Sequence, residues 1–375
     1  MADGQRSDVG RGPAIVAFLG AQALGDLIMS HLVAASVARA LPESRLGVIY
    51  RDNRPYKHFV TALNPSVDQV LKLPDDPGTV LPLDWFAGRA DAPAPPFDAA
   101  WIEAGLHRPD IFLVPAMLNL ERSVGRPPVF RVPDAIAPLL AQSLVRRGLR
   151  ADRWFACLHV RGPGYQWRKD VDFRRNAPAE TYLTAIEDIL SAGGQVVRLG
   201  DPSMEPLPAM EGLVDLSRDA ESFPEQCFAV SRARFFLGTD SGPTQLACGF
   251  RVPAASTNAL GIGVWNDGDV VLYKRFALAG GGRALTTADL LSMTGYSMQI
   301  CHPIEGFDVT DNSPDELAAV ARHMITKTVD CAAWREPASE SEEPVSANES
   351  SVGLPLPWRP ITEIGDLTVW PHEGT

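Results

Sequence analysis

The hexapeptide Gly238-Thr239-Asp240-Ser241-Gly242-Pro243 crowds two glycines, three small oxygen-bearing side chains and a proline into one bend. It follows the apolar run Phe235-Phe236-Leu237 and leads into a helix-like stretch that ends at Phe250, so it reads as a strand-to-helix turn. Two chemistries suit it. Asp240 or Ser241 caps the helix. Alternatively, the unpaired N–H groups of the helix start, the close approach that Gly242 permits and the hydroxyls of Thr239 and Ser241 cradle a phosphate.

Three other turns at strand ends carry a similar load. In His159-Val160-Arg161-Gly162-Pro163-Gly164-Tyr165 the strand alternation puts His159 and Arg161 on one side. The planar fork of Arg161 matches a phosphate. His159 by itself suits a hydrogen-bonded structural place. The loop beyond, with Tyr165, Trp167, Arg168 and Arg174, is long enough to close over a base or a sugar, and Trp167 equally suits plain packing. In Arg198-Leu199-Gly200-Asp201-Pro202-Ser203, Arg198 and Asp201 either touch a sugar or form a loop ion pair. In Gly20-Ala21-Gln22-Ala23-Leu24-Gly25-Asp26, the acid opens a helix. Asp26 there is either matched to the helix dipole or a general base.

Alternating segments position these turns. Ala14–Leu19 reads as a buried strand and Leu27–Leu41 as a helix stopped by Pro42. Leu46–Tyr50 is the next strand, Arg54–Leu63 a helix, and Val70–Leu73 and Ala99–Ile102 further strands. The second half repeats the alternation. Helices are expected over Asp134–Arg147, Ala179–Ser191, Ser222–Ser231, Leu285–Met293 and Pro314–Val329, the last capped by Ser313-Pro314 with acids following. Strands are expected over Trp154–Val160, Gln195–Leu199, Leu213–Leu216, Arg234–Leu237 and Val252–Thr257. Repeated βα units imply parallel sheets, and in such sheets ligands bind outside the carboxyl ends of the strands.

Composition narrows the function classes. With 375 residues, 45% of them hydrophobic, the chain exceeds one ordinary core, so two domains are expected. Net charge is −12, and more than half of it falls from Glu336 onward, where eight acids face Arg359 alone. So acidic a chain is a poor nucleic-acid binder. Between Arg146 and Arg175, by contrast, eight arginines and Lys169 face three aspartates, which suits a small anionic ligand. Cys157, Cys227, Cys248, Cys301 and Cys331 are scattered and never form CxxC, against a disulfide framework or a cysteine zinc site. No metal site is expected, since no D-x-D strand end, H-E-x-x-H or histidine cluster occurs. The P-loop, the G-x-G-x-x-G fingerprint and the G-x-S-x-G elbow are missing too. No apolar run is long enough for a transmembrane segment, and the N-terminus lacks a signal core.

Two stretches resemble the heptosyltransferase family of glycosyltransferases. "LGDLIMSHLVAASVARALPESRLGVI" is similar to its N-terminal GD motif, and "FFLGTDSGPTQLACGFRVPA" to its D-[ST]-G-x-x-H-L-A motif, with Gln245 where the family has histidine. "CLHVRGPGY" resembles the H-x-R segment of fucosyltransferases. The order of these motifs looks like a group of bacterial surface-polysaccharide glycosyltransferases, over the span from the first strand to the last helix.

The resemblance implies an α/β chain of GT-B fold, two Rossmann-like doubly wound domains facing a cleft. The boundaries expected are a flexible 1–13, an acceptor domain over 14–135, a nucleotide-sugar domain over 136–335, an acidic disordered linker over 336–352 and a tail over 353–375 that docks back. It implies metal-independent, inverting transfer of a sugar from a nucleotide-sugar to a hydroxyl of a glycan or lipid-linked acceptor. No cofactor is implied. GDP is favoured slightly over ADP or UDP because of the H-x-R segment. Asp26 matches the family's base, and Arg161 the arginine that holds the donor diphosphate. Thr239, Asp240, Ser241, Gly242, Pro243 and Gln245 fall on the donor turn, joined by His159, Gly164, Tyr165, Arg174, Arg198, Gly200 and Asp201. Gly20, Gln22 and Gly25 line the acceptor side. The implied place is the cytoplasm, peripheral at the inner membrane face for a lipid-linked acceptor. Two rivals share the expected fold: a non-hydrolysing sugar-nucleotide epimerase, and a non-catalytic protein that binds a nucleotide-sugar.

Overall fold

The computed structural model describes residues 12–76, 82–86, 97–115, 129–163, 175–259, 270–285, 307–328, 331–338, 361–364 and 367–371. It divides into two units, Met1–Pro133 and Asp134–Thr375.

In the N-terminal unit β1 (Ala14–Phe18) leads through the Gly20–Ala23 turn into α1 (Leu24–Ala40). Then follow β2 (Arg45–Arg51), α2 (Tyr56–Ala62), β3 (Val67–Leu73), α3 (Pro82–Phe86), α4 (Ala99–Glu103) and β4 (Ile111–Leu113). The sheet order is β3-β2-β1-β4 and every pairing is parallel. β1 is apolar along its length, as a strand covered on both faces must be. α1 buries ten consecutive-turn residues from Leu27 to Val37, including His31. The His31 ring is fully satisfied. Nε2 lies 3.2 Å from the Thr61 hydroxyl, which itself donates to the Lys57 carbonyl, so Nε2–H is the donor. Nδ1 accepts from the Asn64 amide at 3.3 Å. These bonds tie α1 to α2 through a neutral imidazole, and burial pushes its pKa down to about 3.

The sequence expectation of a strand at Ala99–Ile102 is overturned: these residues form α4. Asp98 accepts the Trp101 N–H at 2.9 Å and so closes the first turn. Trp101 is completely buried and lies over Gly47, where an added Cβ would stand 2.8 Å from the indole. A four-residue apolar run carries no period that separates strand from helix. β4 supplies the missing fourth strand.

The C-terminal unit runs α5 (Ala137–Arg146), β5 (Phe155–His159), a 3₁₀ turn (Ala179–Tyr182), α6 (Leu183–Ser191), β6 (Gln195–Arg198), β7 (Leu213–Asp215), α7 (Phe223–Arg232), β8 (Phe235–Thr239), α8 (Gly242–Gly249), β9 (Ala254–Ala259) and β10 (Val270–Tyr273). After the antiparallel pair of β11 (Arg275–Leu278) with β12 (Phe307–Thr310) come α9 (Pro314–Lys327), β13 (Ile361–Ile364) and β14 (Leu367–Pro371). The main sheet has the order β13-β14-β10-β9-β8-β5-β6-β7. β5 to β10 pair in parallel, whereas β14 joins the β10 edge antiparallel. α6 and α9 cover one face, packing Ile186, Ile189, Leu317 and Met324 against Ala156, Leu158, Phe235 and Leu237. On the other parity Phe155 meets Trp334 edge-on at 5.8 Å, and Trp334 meets Phe228 of α7. Each large apolar side chain so enclosed contributes about 1.5–3 kcal/mol. α9 starts with a reciprocal cap, as its Ser-Pro-Asp-Glu start suggests: Glu316 N–H donates to Ser313 Oγ, and Ser313 N–H to Glu316. The helix expected over Leu285–Met293 lies outside the described residues apart from Leu285, and so does the acidic linker from residue 339 on.

Candidate functional site

The strand-to-helix turn between β8 and α8 decides how its polar groups are used. Ser241 occupies the N-cap position of α8 in an extended conformation, yet its side chain makes no cap bond. Its Oγ instead shares a 2.8 Å hydrogen bond with Nδ1 of His159, at the end of neighbouring β5, and lies 3.0 Å from the Thr239 carbonyl. The hydroxyl is spent across the sheet, which leaves the helix start without a side-chain cap. Thr239 fixes the other neighbour: its Oγ1 accepts the Arg161 backbone N–H at 3.0 Å. The ends of β5 and β8 are thus stitched twice.

Gly238 makes this contact possible. It pairs with His159, and a Cβ there would stand 2.2 Å from the His159 carbonyl oxygen. Behind β8, Thr257 Oγ1 donates to the Gly238 carbonyl at 3.0 Å and lies 2.7 Å from the Tyr182 hydroxyl. Asn258, held at a φ of 52°, exchanges two backbone–amide bonds with Asn312. Sequence reasoning missed this support because its members lie far apart in the chain. Only the identity of Asn258, a residue that tolerates a left-handed backbone, hinted at it.

Asp240 is partly exposed. Arg175 donates to its backbone carbonyl at 3.0 Å, a partner that sequence reasoning did not single out. Desolvation raises the Asp240 pKa, against the pull of Arg175 and Arg161. Arg161 is buried at 5% exposure beside it. His159 is equally enclosed, and burial pushes its pKa down to about 4, with Asp201 opposing. Gly242 and Pro243 form the first turn of α8, and Gln245 follows with its Oε1 buried and without a partner.

Not every expected residue joins this cluster. Arg198 is fully buried, bonded to Asp215 at 3.1 Å and to the Glu205 carbonyl. Its guanidinium braces β6 against β7. Gly200, at a φ of 144°, is pinned by Gln226, which donates to its carbonyl and accepts its N–H. Asp201 turns back to Ser203. Gly164, Tyr165 and Arg174 lie outside the described residues.

In the N-terminal unit Asp26 is exposed in the first turn of α1. Gly20 is exposed, Gln22 and Gly25 are half-buried, and the Gln22 carbonyl accepts the Tyr56 hydroxyl, which anchors the turn to α2. A cavity of about 440 Å³ in this unit lies at the amino ends of the strands, around Arg45 and Gln69, away from these turns. Among the described residues no three His, Cys, Asp or Glu side chains gather as metal ligands, and no helix is long and apolar enough to cross a membrane.

The two buried histidines set an acid limit on stability. Both hold folded pKa values, about 3 for His31 and about 4 for His159, below the unfolded value of about 6.5. Their stabilisation is therefore full above pH 6.5 and lost as pH falls. Each should cost up to about 1.4 kcal/mol per pH unit between roughly pH 6 and 4. Melting followed by circular dichroism should drop steeply from pH 7 to 5, and a flat profile there would contradict the neutral, enclosed imidazoles.

No protein-family model matches the chain, and no curated protein matches it. Solved structures do. The glycosyl transferase family 9 protein from Veillonella parvula DSM 2008 superposes with a TM-score of 0.52 at 12% identity, covering 84% of this chain and 98% of that one. The Escherichia coli ADP-heptose lipopolysaccharide heptosyltransferase II follows at 0.46 and 14%, covering 75% and 97%. The iron-containing dodecameric glycosyltransferase TibC from enterotoxigenic E. coli H10407 gives 0.42 and 15%, covering 84% and 76%. The first likeness is one of fold: this chain has the α/β architecture of GT-B glycosyltransferases.

Proposed function

On that architecture we propose that the chain is a glycosyltransferase, moving a sugar from a nucleotide-sugar to an acceptor hydroxyl with inversion and without a metal ion, in surface polysaccharide or glycoconjugate synthesis. The observation that carries this reading is the uncapped start of α8 beside Arg161, with Ser241 held by His159. A helix start with amide hydrogens uncommitted to a side chain is a place for phosphate oxygens.

The reaction is a single displacement. Asp26 takes the proton of the acceptor hydroxyl as its oxygen attacks the anomeric carbon. The bond from that carbon to the diphosphate oxygen breaks, and its electron pair stays on the diphosphate. Arg161 and the N–H groups around Ser241-Gly242 neutralise that growing charge, since Pro243 has no N–H and the Thr244 N–H already donates to the Ser241 carbonyl. His159, Thr239 and Gly238 hold the turn in shape. Arg198, Gly200 and Asp201 act at one remove, fixing the neighbouring strand end. Asp240 and Gln245 complete the donor turn, and Gly164, Tyr165 and Arg174 belong to the loop that covers the donor. The donor base is guanine in preference to adenine or uracil, and the acceptor is a glycan, free or lipid-linked. The protein works in the cytoplasm, meeting a lipid-linked acceptor at the inner membrane face.

A thermal-shift screen of GDP, ADP, UDP and their sugars, with magnesium and with chelator, tests the reading. A nucleoside diphosphate at about 100 times its dissociation constant should stabilise the protein by about 2.7 kcal/mol, equally in both buffers. Absence of any shift would remove nucleotide-sugar binding. Conversion of a nucleotide-sugar without acceptor would point to the epimerase instead.

A further inference from the structure

Residues 175–177 are held beside the β8–α8 turn by three separate contacts. The Arg175 guanidinium donates through Nη2 to the Asp240 carbonyl at 3.0 Å. The Asn176 carbonyl accepts from Nζ of Lys274, the residue after β10, at 2.7 Å. The Ala177 N–H donates to the Arg161 carbonyl at 3.1 Å. Lys274 is itself 4% exposed and pairs with Asp311 at 2.6 Å, as a buried ammonium requires.

Arg161 and Arg175 thereby reach successive residues of one turn. Arg161 is bonded through its backbone N–H to Thr239, and Arg175 through its side chain to Asp240. The Asp240 carboxylate feels both cations, Arg175 the more strongly. Arg175 is half-buried, and among the described residues the Asp240 carbonyl is the one acceptor its side chain meets. A carbonyl takes up one of the five N–H groups of a guanidinium, and the rest of the fork still matches a phosphate. The α8 start at the same turn carries no side-chain cap, a second feature that suits an anion there.

We infer that Arg175 is a second anion-binding residue of this turn, holding one phosphate group while Arg161 holds the other, so that the site selects a nucleoside diphosphate over a monophosphate. This rests on the donor reading of the β8–α8 turn and adds to it the residue that sets phosphate number. A side chain that only propped the turn would need no charge, because the Asp240 carbonyl accepts equally well from a neutral amide.

Calorimetric titration of the full chain with GDP, ADP and UDP, and with GMP, AMP and UMP, tests it. For the base that binds, the parent should prefer the diphosphate. Arg175→Gln keeps a donor for the Asp240 carbonyl and should melt with the parent. It should bind the diphosphate about tenfold more weakly and the monophosphate as before. Arg175→Lys, which restores the charge without the fork, should recover part of the loss. Should the glutamine variant fail to fold, Arg175→Lys carries the test, with diphosphate affinity reduced several-fold and monophosphate affinity kept. Unchanged diphosphate affinity in the folded variant overturns the inference. So does an equal loss for both ligands, which makes Arg175 a prop of the turn. In either case weakened binding in Arg161→Ala leaves the donor reading standing, whereas a parent chain that binds no nucleotide removes both.

Discussion

Replacing Asp26 by asparagine should slow sugar transfer by about 10²- to 10⁴-fold and leave nucleotide binding as it was. Asparagine keeps the volume and polarity of the side chain, and position 26 is an exposed first-turn site of α1, so no core contact is altered. The carboxylate also meets the positive end of the helix dipole, and losing that interaction costs only about 0.3–1 kcal/mol. Folding should therefore survive while proton removal from the acceptor does not. Initial rates with the donor found in the thermal screen, beside calorimetric binding of the same donor, separate the two. Transfer at the parent rate would remove Asp26 from the mechanism, and joint loss of transfer and binding would make it a structural residue.

Replacing Arg161 by alanine should act on the other partner. Nucleoside diphosphate affinity should fall about 10- to 100-fold, and turnover with saturating donor by a further 10²- to 10³-fold. The expectation follows from where the guanidinium starts. Its backbone N–H is bound to Thr239 Oγ1, a bond that alanine retains, so the ends of β5 and β8 stay joined. What goes is a buried cation beside the α8 start. Arg161→Lys refines the reading: a point charge keeps part of the attraction but not the two-pronged geometry, so it should fall between the two. Normal affinity in Arg161→Ala would move the diphosphate elsewhere.

Much of the architecture was legible along the chain. The apolar run Ala14–Leu19, the turn at Gly20–Asp26 and the long apolar segment behind it announce β1 and α1, because a buried strand and a buried helix both need continuous hydrophobicity of recognisable length. The Ser313 cap of α9 was equally plain, since its partner lies three residues away. Failures occurred where local signals were short. Ala99–Ile102 looked like a strand until the Asp98 cap and the bed of Trp101 on Gly47 are seen together. β4 gave no signal of its own.

For the site, the chain sequence determined which groups were present and which turns held them, because turn chemistry and strand alternation act over a few residues. Whether Ser241 caps a helix or serves something else was not decidable locally. Tertiary structure settled it by bringing His159 to within 2.8 Å across 82 residues of sequence. The same pairing of strands sent Arg198 inward to Asp215 and set Thr257, Tyr182, Asn258 and Asn312 behind the turn. Local preference fixes how a segment bends. Which hydroxyl meets which imidazole depends on the register of parallel strands, and that is set by the packing of the whole sheet.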